Sequence, residues 1–213
     1  MENTMSQARI WNRFAKSYAR RPVDDQASYD RKLAMTRALL SPDMTLLEVG
    51  CGTGSTALIH APHVARIDAY DFSSEMIALA QAKADEAGVN NVAFEVADLA
   101  ELRPEGAYDM ALALSLLHLL PDATAGLRQL AAHVRPGGHV ISSTVCIGDM
   151  PGLLARVLPK LGFTGLIPKV LPLTRDALIA AHTAAGLTIT DEFRPAPDKA
   201  VFLIARKPGQ TPA

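Results

Sequence analysis

Residues 45–58 read Thr45-Leu46-Leu47-Glu48-Val49-Gly50-Cys51-Gly52-Thr53-Gly54-Ser55-Thr56-Ala57-Leu58, and this stretch decides the fold. Its first residues predict a short buried strand, which alternate glycines join directly to the start of a helix at Ser55. Such a turn leaves backbone N–H groups bare at the helix N-terminus, where an anionic or strongly polar ligand group is stabilised. The glycines permit positive φ and let a ligand approach the backbone closely.

The spacing of the glycines separates two kinds of ligand. A dinucleotide fingerprint needs a further glycine three positions after Gly52, and Ser55 stands there. The pattern is Glu-x-Gly-x-Gly-x-Gly, which resembles the first motif of the class I S-adenosylmethionine-dependent methyltransferases. A plain turn in an α/β protein is the alternative interpretation.

Composition limits the function classes. The chain has 213 residues, is 49% hydrophobic and carries a formal net charge of −1, so it suits one domain and shows no electrostatic footprint for nucleic acid. It opens on a polar stretch rather than a secretion signal, and it has no apolar run of membrane-spanning length. Cys51 and Cys146 suggest no disulfide framework, and we therefore expect a cytoplasmic protein.

Residues 9–21 place Trp11, Phe14 and Tyr18 on one face of a predicted helix, which Pro22 ends. This aromatic stripe either packs on the core or forms a flap over a ligand pocket. A second helix is predicted over residues 24–40, so the two helices form an N-terminal cover.

Two acids stand where predicted strands end. Asp71 closes the second strand, 66–71, at nearly the offset from Gly52 at which an acid binds ribose hydroxyls. Capping the helix that begins near Ser73 is its alternative role. Asp98 follows the third strand, and a solvated loop acid is the alternative there.

Regular alternation of strands and helices continues to residue 145 and predicts a parallel sheet with helices on both faces. The fourth strand covers residues 109–114, residues 135–138 form a tight turn, and the fifth strand covers residues 139–145. The β-runs 187–194 and 200–206 flank a short loop, which requires an antiparallel hairpin. The fold class is therefore α/β, a Rossmann-like doubly wound seven-stranded sheet with a C-terminal antiparallel hairpin.

Residues 147–173 depart from this alternation because they are apolar and broken by proline and glycine. An apolar insertion of this kind must bury against something. A substrate lid, a dimer contact, a membrane-surface patch and ordinary packing are all open. We expect one domain over residues 1–213, divided into the cover (1–41), the cofactor-binding core (42–146), this apolar insertion (147–173) and the C-terminal helix and hairpin (174–208).

The resemblance to small-molecule class I methyltransferases covers almost the whole chain and implies roles for particular residues. It implies that Asp71 binds the cofactor ribose, that Asp98 and Leu99 meet the adenine, and that Tyr18 closes over the cofactor. The full set of implied S-adenosylmethionine contacts is Tyr18, Glu48, Gly50, Cys51, Gly52, Thr53, Gly54, Asp71, Phe72, Met76, Ala97, Asp98, Leu99 and Ser115.

The implied chemistry is methyl transfer by in-line displacement, for which position and desolvation suffice and an acid–base pair is optional. His118, just past the fourth strand, is the candidate base, and a structural role is its alternative. No Cys/His spacing suggests a metal. We expect a small lipophilic acceptor and a monomer or homodimer. A non-catalytic S-adenosylmethionine-binding protein and a nicotinamide-dependent oxidoreductase are the rival classes.

Overall fold

A computed structural model of the chain describes residues 2–103, 107–150 and 167–209. The helices in these ranges are α1 (Glu2–Ala19), α2 (Gln26–Arg37), α3 (Ser55–His60), α4 (Ser74–Ala87), α5 (Ala123–His133) and α6 (Arg175–Ala184). The strands are β1 (Thr45–Val49), β2 (Arg66–Asp71), β3 (Val92–Val96), β4 (Tyr108–Leu114), β5 (Val134–Thr144), β6 (Thr188–Phe193) and β7 (Val201–Arg206).

The strands form a seven-stranded mixed sheet in the order β3-β2-β1-β4-β5-β7-β6. This confirms the predicted α/β fold class and its C-terminal antiparallel hairpin. The chain contacts divide it into two compact units, residues 1–101 and 102–213. The four-segment division given above stays a prediction.

In the first unit, β1 pairs in parallel with β2 and β2 in parallel with β3. Leu46, Leu47 and Ile67 are fully buried, so the apolar strands supply the core of this unit. Helix α4 runs from a Ser73 cap to Gly88, which takes the left-handed conformation that ends the helix. The buried side of this helix begins with Met76.

In the second unit, β4 and β5 are parallel, while β7 is antiparallel to both β5 and β6. Residues 201–205 of β7 are all buried, whereas most of β6 is exposed. This contrast follows from position, because β7 has neighbours on both sides and β6 is the edge of the sheet.

The start of β5 differs from the sequence prediction. The strand begins at Val134 rather than at His139, because Val134 already pairs with Tyr108. Residues 135–138 were predicted as a turn before the strand. They instead lie within β5, where the pairing with β4 is irregular. A Cβ at Gly138 would lie 2.5 Å from the Asp109 carbonyl oxygen, so a side chain does not fit there.

Helix α1 begins earlier than predicted, and its aromatic stripe is only partly buried, with Trp11 and Phe14 half-buried. Its buried side chains include Ile10 and Ala15, while Tyr18 is 44% exposed. The insertion expected at 147–173 lies outside the described residues from 151 to 166. In the ranges that are described, no helix combines the length and apolar content that crossing a membrane requires.

Candidate functional site

The glycine turn has the backbone geometry that its sequence predicts. Gly50, Gly52 and Gly54 all have positive φ, at 71°, 54° and 73°. The amides of Gly50 and Cys51 both donate to the Tyr70 carbonyl oxygen, at 2.7 and 3.0 Å. The turn between β1 and α3 is therefore tied to the end of β2.

Asp71 ties the same turn to β2 through its side chain. Its Oδ2 accepts from the Gly52 amide and its Oδ1 from the Ser73 amide, both at 2.9 Å. The α4 cap is Ser73, whose hydroxyl accepts from the Met76 amide. The alternative of Asp71 as the helix cap is therefore wrong. Burial raises the pKa of Asp71, and the two backbone donors oppose that shift.

The far side of the turn packs against α4 and β3. A Cβ on Gly54 would lie 2.7 Å from the ring of Phe94 and 2.8 Å from the Ala80 methyl. Because Gly54 also has a left-handed backbone, a larger residue would be both strained and crowded there. This close approach fixes the position of Gly54 relative to β3 and α4.

Helix α1 also approaches the glycine turn, through the side chain of Tyr18. A Cβ built on Gly52 would lie 4.0 Å from Cε1 of Tyr18, so the tyrosine ring is near that glycine. The ring also meets Trp11 edge-to-face, with centroids 6.0 Å apart. Partial burial and the neighbouring Asp71 charge raise the pKa of Tyr18. The structure thus brings Tyr18, Gly52 and Asp71 together, and their contact with a cofactor stays a prediction.

Asn12 holds α1 on α4. Its Oδ1 accepts from the Ser73 hydroxyl at 2.6 Å, and its Nδ2 lies 3.4 Å from the Ser74 hydroxyl. Neither contact was predicted, because nothing in the local sequence pairs residues so far apart.

Glu48 is 2% exposed, and no described residue is hydrogen bonded to its Oε2. Burial, with a smaller effect of Asp71, raises the pKa of Glu48 to about 8. Cys51 is also buried, and its thiol pKa rises for the same reason. Glu48 on β1 and Asp71 on β2 therefore both lie beside the turn. Of the two, Glu48 favours its neutral form at pH 7.

The residues implied for the adenine lie after β2 and β3. Phe72 is half-buried and Met76 is buried, and Leu99 is 4% exposed. Asp98 accepts from the Ala100 amide at 2.9 Å and so begins the short helical turn 99–101. The amide of Ala97 donates to the Asp71 carbonyl oxygen at 3.2 Å. Their contact with adenine stays a prediction.

Ser115 and His118 belong to the second unit. Ser115 has a φ of 61°, an unusual value for a residue other than glycine, and its amide donates to the Ser143 carbonyl oxygen at 2.7 Å. His118 lies in a helical turn just after β4, and its carbonyl oxygen accepts from the Leu171 amide at 2.7 Å. Its ring is 9% exposed, and no described residue bonds its Nδ1. Burial lowers the pKa of His118 to about 4, so the imidazole is neutral at pH 7.

Two further features were missed by sequence reasoning. Lys83 on α4 donates to both oxygens of Thr53 in the glycine turn. Ser142 and His182, both fully buried, lie 3.1 Å apart between Oγ and Nε2. Across the described ranges, His, Cys, Asp and Glu form no group of three or more that could hold a metal.

The chain is similar in sequence and fold to known methyltransferases. Residues 46–138 match a family described as a methyltransferase domain. The chain is 35% identical over 117 residues to a ubiquinone biosynthesis O-methyltransferase of Serratia proteamaculans. The aligned residues cover 54% of this chain and 48% of that protein. The chain spans about half the length of the first curated relatives that it matches, such as this protein and its Sodalis glossinidius counterpart.

Solved structures share the fold at lower identity. An S-adenosylmethionine-dependent methyltransferase from Mesorhizobium loti has a TM-score of 0.67 at 21% identity, covering 81% of this chain and 96% of its own. The cyclase SpnF has a TM-score of 0.70 at 23% identity, covering 89% and 85%. The match over residues 46–138 makes this part of the chain similar to methyltransferase domains, and a solved S-adenosylmethionine-dependent methyltransferase shares its fold.

Proposed function

We propose that the chain transfers a methyl group from S-adenosylmethionine to a small lipophilic acceptor. The observation that carries the proposal is the bond between the Gly52 amide and the Asp71 carboxylate, which joins a left-handed glycine turn to an acid at the end of β2. The curated relatives named for O-methylation support the activity.

The residues present fit this cofactor. Each Asp71 oxygen accepts one backbone N–H, and a carboxylate oxygen has a second lone pair, so both still have capacity for a ribose hydroxyl. Glu48 offers a buried oxygen that lacks a partner among the described residues, which suits a hydrogen-bonding group of the ligand. Tyr18 would cover the turn, while Phe72, Met76, Asp98 and Leu99 would hold the adenine.

S-adenosylmethionine, when bound, supplies an electrophilic methyl group, which an acceptor oxygen takes as the carbon–sulfur bond breaks. His118 is the residue that we propose to accept the proton that the acceptor hydroxyl loses, because its ring is neutral at pH 7 and its Nδ1 has no partner among the described residues, although a pKa of about 4 makes it a weak base. The apolar surroundings that keep this ring neutral also exclude water from the acceptor.

The acceptor class rests on the composition of residues 147–173 and on the relatives named for ubiquinone biosynthesis. Leu153, Leu154, Val157, Phe163 and Ile167 make this segment apolar, and an acceptor site of this composition would bind an apolar acceptor and disfavour a charged one. A phenol or quinol oxygen is therefore the first acceptor to test. A dimer contact or a membrane-surface patch made by the same segment is the competing account.

We propose a cytoplasmic location and a partner that is a small molecule rather than nucleic acid. Both cysteines are free and buried, as in a reducing compartment, and the net charge of −1 offers no attraction to a polyanion.

Two measurements test the function. Calorimetry with S-adenosylhomocysteine should show binding, and calorimetry with NADH should show none. A radiolabelled methyl-transfer assay with a graded set of phenols, from hydroxybenzoate to alkylated catechols, should show turnover that rises with lipophilicity. Cofactor binding without transfer to any acceptor would indicate a non-catalytic S-adenosylmethionine-binding protein.

A further inference from the structure

The ammonium group of Lys83 is bonded to the glycine turn. Its Nζ donates to the Thr53 hydroxyl at 2.8 Å, to the Thr53 carbonyl oxygen at 3.0 Å and to the Ser55 hydroxyl at 3.1 Å. Thr53 is 6% exposed and lies between Gly52 and Gly54. One side chain therefore bonds the turn on both sides of Gly54.

Helix geometry explains how Lys83 reaches this position. Met76, Ala80 and Lys83 are spaced at i, i+4 and i+7, so they share the face of α4 that looks toward the turn. Ala80 lies under Gly54, where only a residue without a Cβ fits. Lys83 extends from the next turn of the helix past this contact to Thr53.

The bonds of Lys83 add to those that Tyr70 and Asp71 make with the turn, and they constrain its Thr53–Ser55 part. Glycines have the largest conformational freedom of any residue, so a turn with three of them has a large entropy to lose when a ligand orders it. A cation that bonds a carbonyl oxygen and two hydroxyls restricts the turn before the ligand arrives. Charge-assisted bonds suit this role because they are stronger than neutral ones.

We propose that Lys83 is a positioning residue for the cofactor, which it serves by holding Thr53 and Ser55 and so fixing the glycine turn in its binding geometry. This inference rests on the proposed function, since it assumes that the turn binds S-adenosylmethionine. Lys83 acts through the turn and needs no contact with the cofactor.

The experiment compares three single variants by calorimetry with S-adenosylhomocysteine. Lys83→Met keeps the length of the side chain but removes all three bonds, and we expect it to raise Kd about tenfold. Lys83→Arg keeps a cation with several donors and should recover most of that loss. Gln81→Met, on the exposed side of the same helix, is the matched control and should leave Kd unchanged.

A double-mutant cycle adds a readout that loss of stability alone would not change. In a Thr53→Val background one acceptor is already absent, so Lys83→Met should cost less affinity than it does in the wild type. Thermal unfolding of each variant without ligand reports whether the fold is intact.

The outcomes separate the two proposals. If the wild type binds S-adenosylhomocysteine and Lys83→Met binds it equally well, the role of Lys83 is overturned and the cofactor assignment stands. An arginine variant as weak as the methionine variant would also overturn it. A wild type that binds no S-adenosylhomocysteine would overturn both proposals. Should Lys83→Met fail to fold, Lys83→Arg and Lys83→Gln give the same comparison.

Discussion

In each unit of this protein, two of the buried titratable side chains differ in how well they are bonded. In the first unit, Asp71 has a backbone donor at each carboxylate oxygen, whereas Glu48 has an oxygen without a partner among the described residues. In the second unit, His182 is bonded at both ring nitrogens, whereas His118 has an Nδ1 that is hydrogen bonded to no described residue.

The difference marks Glu48 and His118 as groups whose bonding a ligand would complete, although the bonded Asp71 is also a proposed cofactor residue and His60 has an unpartnered buried Nδ1 with no proposed role. Buried polar groups are almost always bonded, and an unpaired one carries the full cost of desolvation. A fully bonded group can stabilise the fold on its own. A group that is buried without a partner is tolerated where a ligand or substrate completes its bonding, and Glu48 and His118 are both predicted site residues.

The largest effect is expected at His118. Replacing it by Gln removes the base that we propose for the acceptor proton, and we expect turnover to fall about a hundredfold with the Kd of S-adenosylhomocysteine unchanged. His63→Gln is the matched control. Because burial holds the pKa of His118 at about 4, the pH–rate profile of the wild type should show no inflection near pH 6.5. Full turnover in the Gln variant would make His118 structural.

Glu48 is expected to make the ligand-free protein less stable as the pH rises. Its pKa is about 8 in the folded chain and near 4.5 when unfolded, so the folded state binds more protons between these values. The free energy of unfolding should then fall by at most about 1.4 kcal/mol per pH unit in this window.

Urea unfolding at pH 5 and pH 8 measures this dependence. Glu48→Gln cannot ionise, so it should lack this part of the slope and exceed the wild type in stability at pH 8. Parallel slopes in the two proteins would show that Glu48 is already ionised in the folded chain.

Asp71 is the bonded member of the first pair, and its removal should weaken cofactor binding in two ways. Asp71→Ala leaves the Gly52 and Ser73 amides without an acceptor and removes the oxygens proposed for ribose. A charge-assisted bond contributes about 1.5–3 kcal/mol, so Kd should rise about ten- to a hundredfold.

Asp71→Asn sharpens the test because the amide keeps one oxygen acceptor. We expect its Kd to lie between those of the wild type and Asp71→Ala. Asp85→Asn, an exposed acid on α4, is the control. If both Asp71 variants bound S-adenosylhomocysteine with wild-type affinity, Asp71 would have only the structural role of bonding β2 to the turn.

The bonded histidine of the second unit should affect stability rather than turnover. Nδ1 of His182 lies 2.8 Å from the Leu178 carbonyl oxygen, which only accepts, so Nδ1 carries the proton. Nε2 is then the acceptor for the Ser142 hydroxyl. His182→Leu leaves that hydroxyl buried and unpaired, at a cost of about 1–3 kcal/mol in the free energy of unfolding.

This cost depends on pH in a defined direction. Burial lowers the pKa of His182, so the stability that its neutral form confers is present above pH 6.5 and declines below it. The difference between wild type and His182→Leu should therefore be smaller at pH 5 than at pH 8. Non-additivity with Ser142→Ala measures the bond itself, and additive effects would argue against it.

The sequence predicted those parts of the site whose geometry is set locally. Three alternate glycines after a short apolar strand define the turn, and Asp71 is found at the end of the strand beside it. The bounds of α4 follow from Ser73, which caps its N-terminus, and from Gly88, which ends it in the left-handed conformation. Each of these features depends on residues within one strand–turn–helix segment.

What could not be predicted depends on partners brought together by folding. The bonds of Lys83 to Thr53, of Ser73 to Asn12 and of Ser142 to His182 span 30, 61 and 40 residues. The left-handed backbone of Ser115 was also missed, because serine rarely adopts it. Propensity and periodicity carry no information about such pairs.

The smallest effect is expected where α1 meets α4. Asn12 accepts from the Ser73 hydroxyl, and the same helix places Tyr18 near Gly52, so Asn12→Ala should loosen a cover that lies over the turn. Hydrogen exchange in residues 9–19 of the ligand-free variant should be faster than in the wild type, and the Kd of S-adenosylhomocysteine should rise about two- to threefold, as for one lost hydrogen bond.

Adding S-adenosylhomocysteine should slow exchange in the same residues, because a lid is commonly ordered by its ligand. Lys16→Ala, an exposed change on the same helix, provides the control for altered helix propensity. If exchange were equal with and without ligand in the wild type, α1 would be a fixed part of the first unit. In that case Asn12 would contribute to packing alone, and Tyr18 would not respond to cofactor.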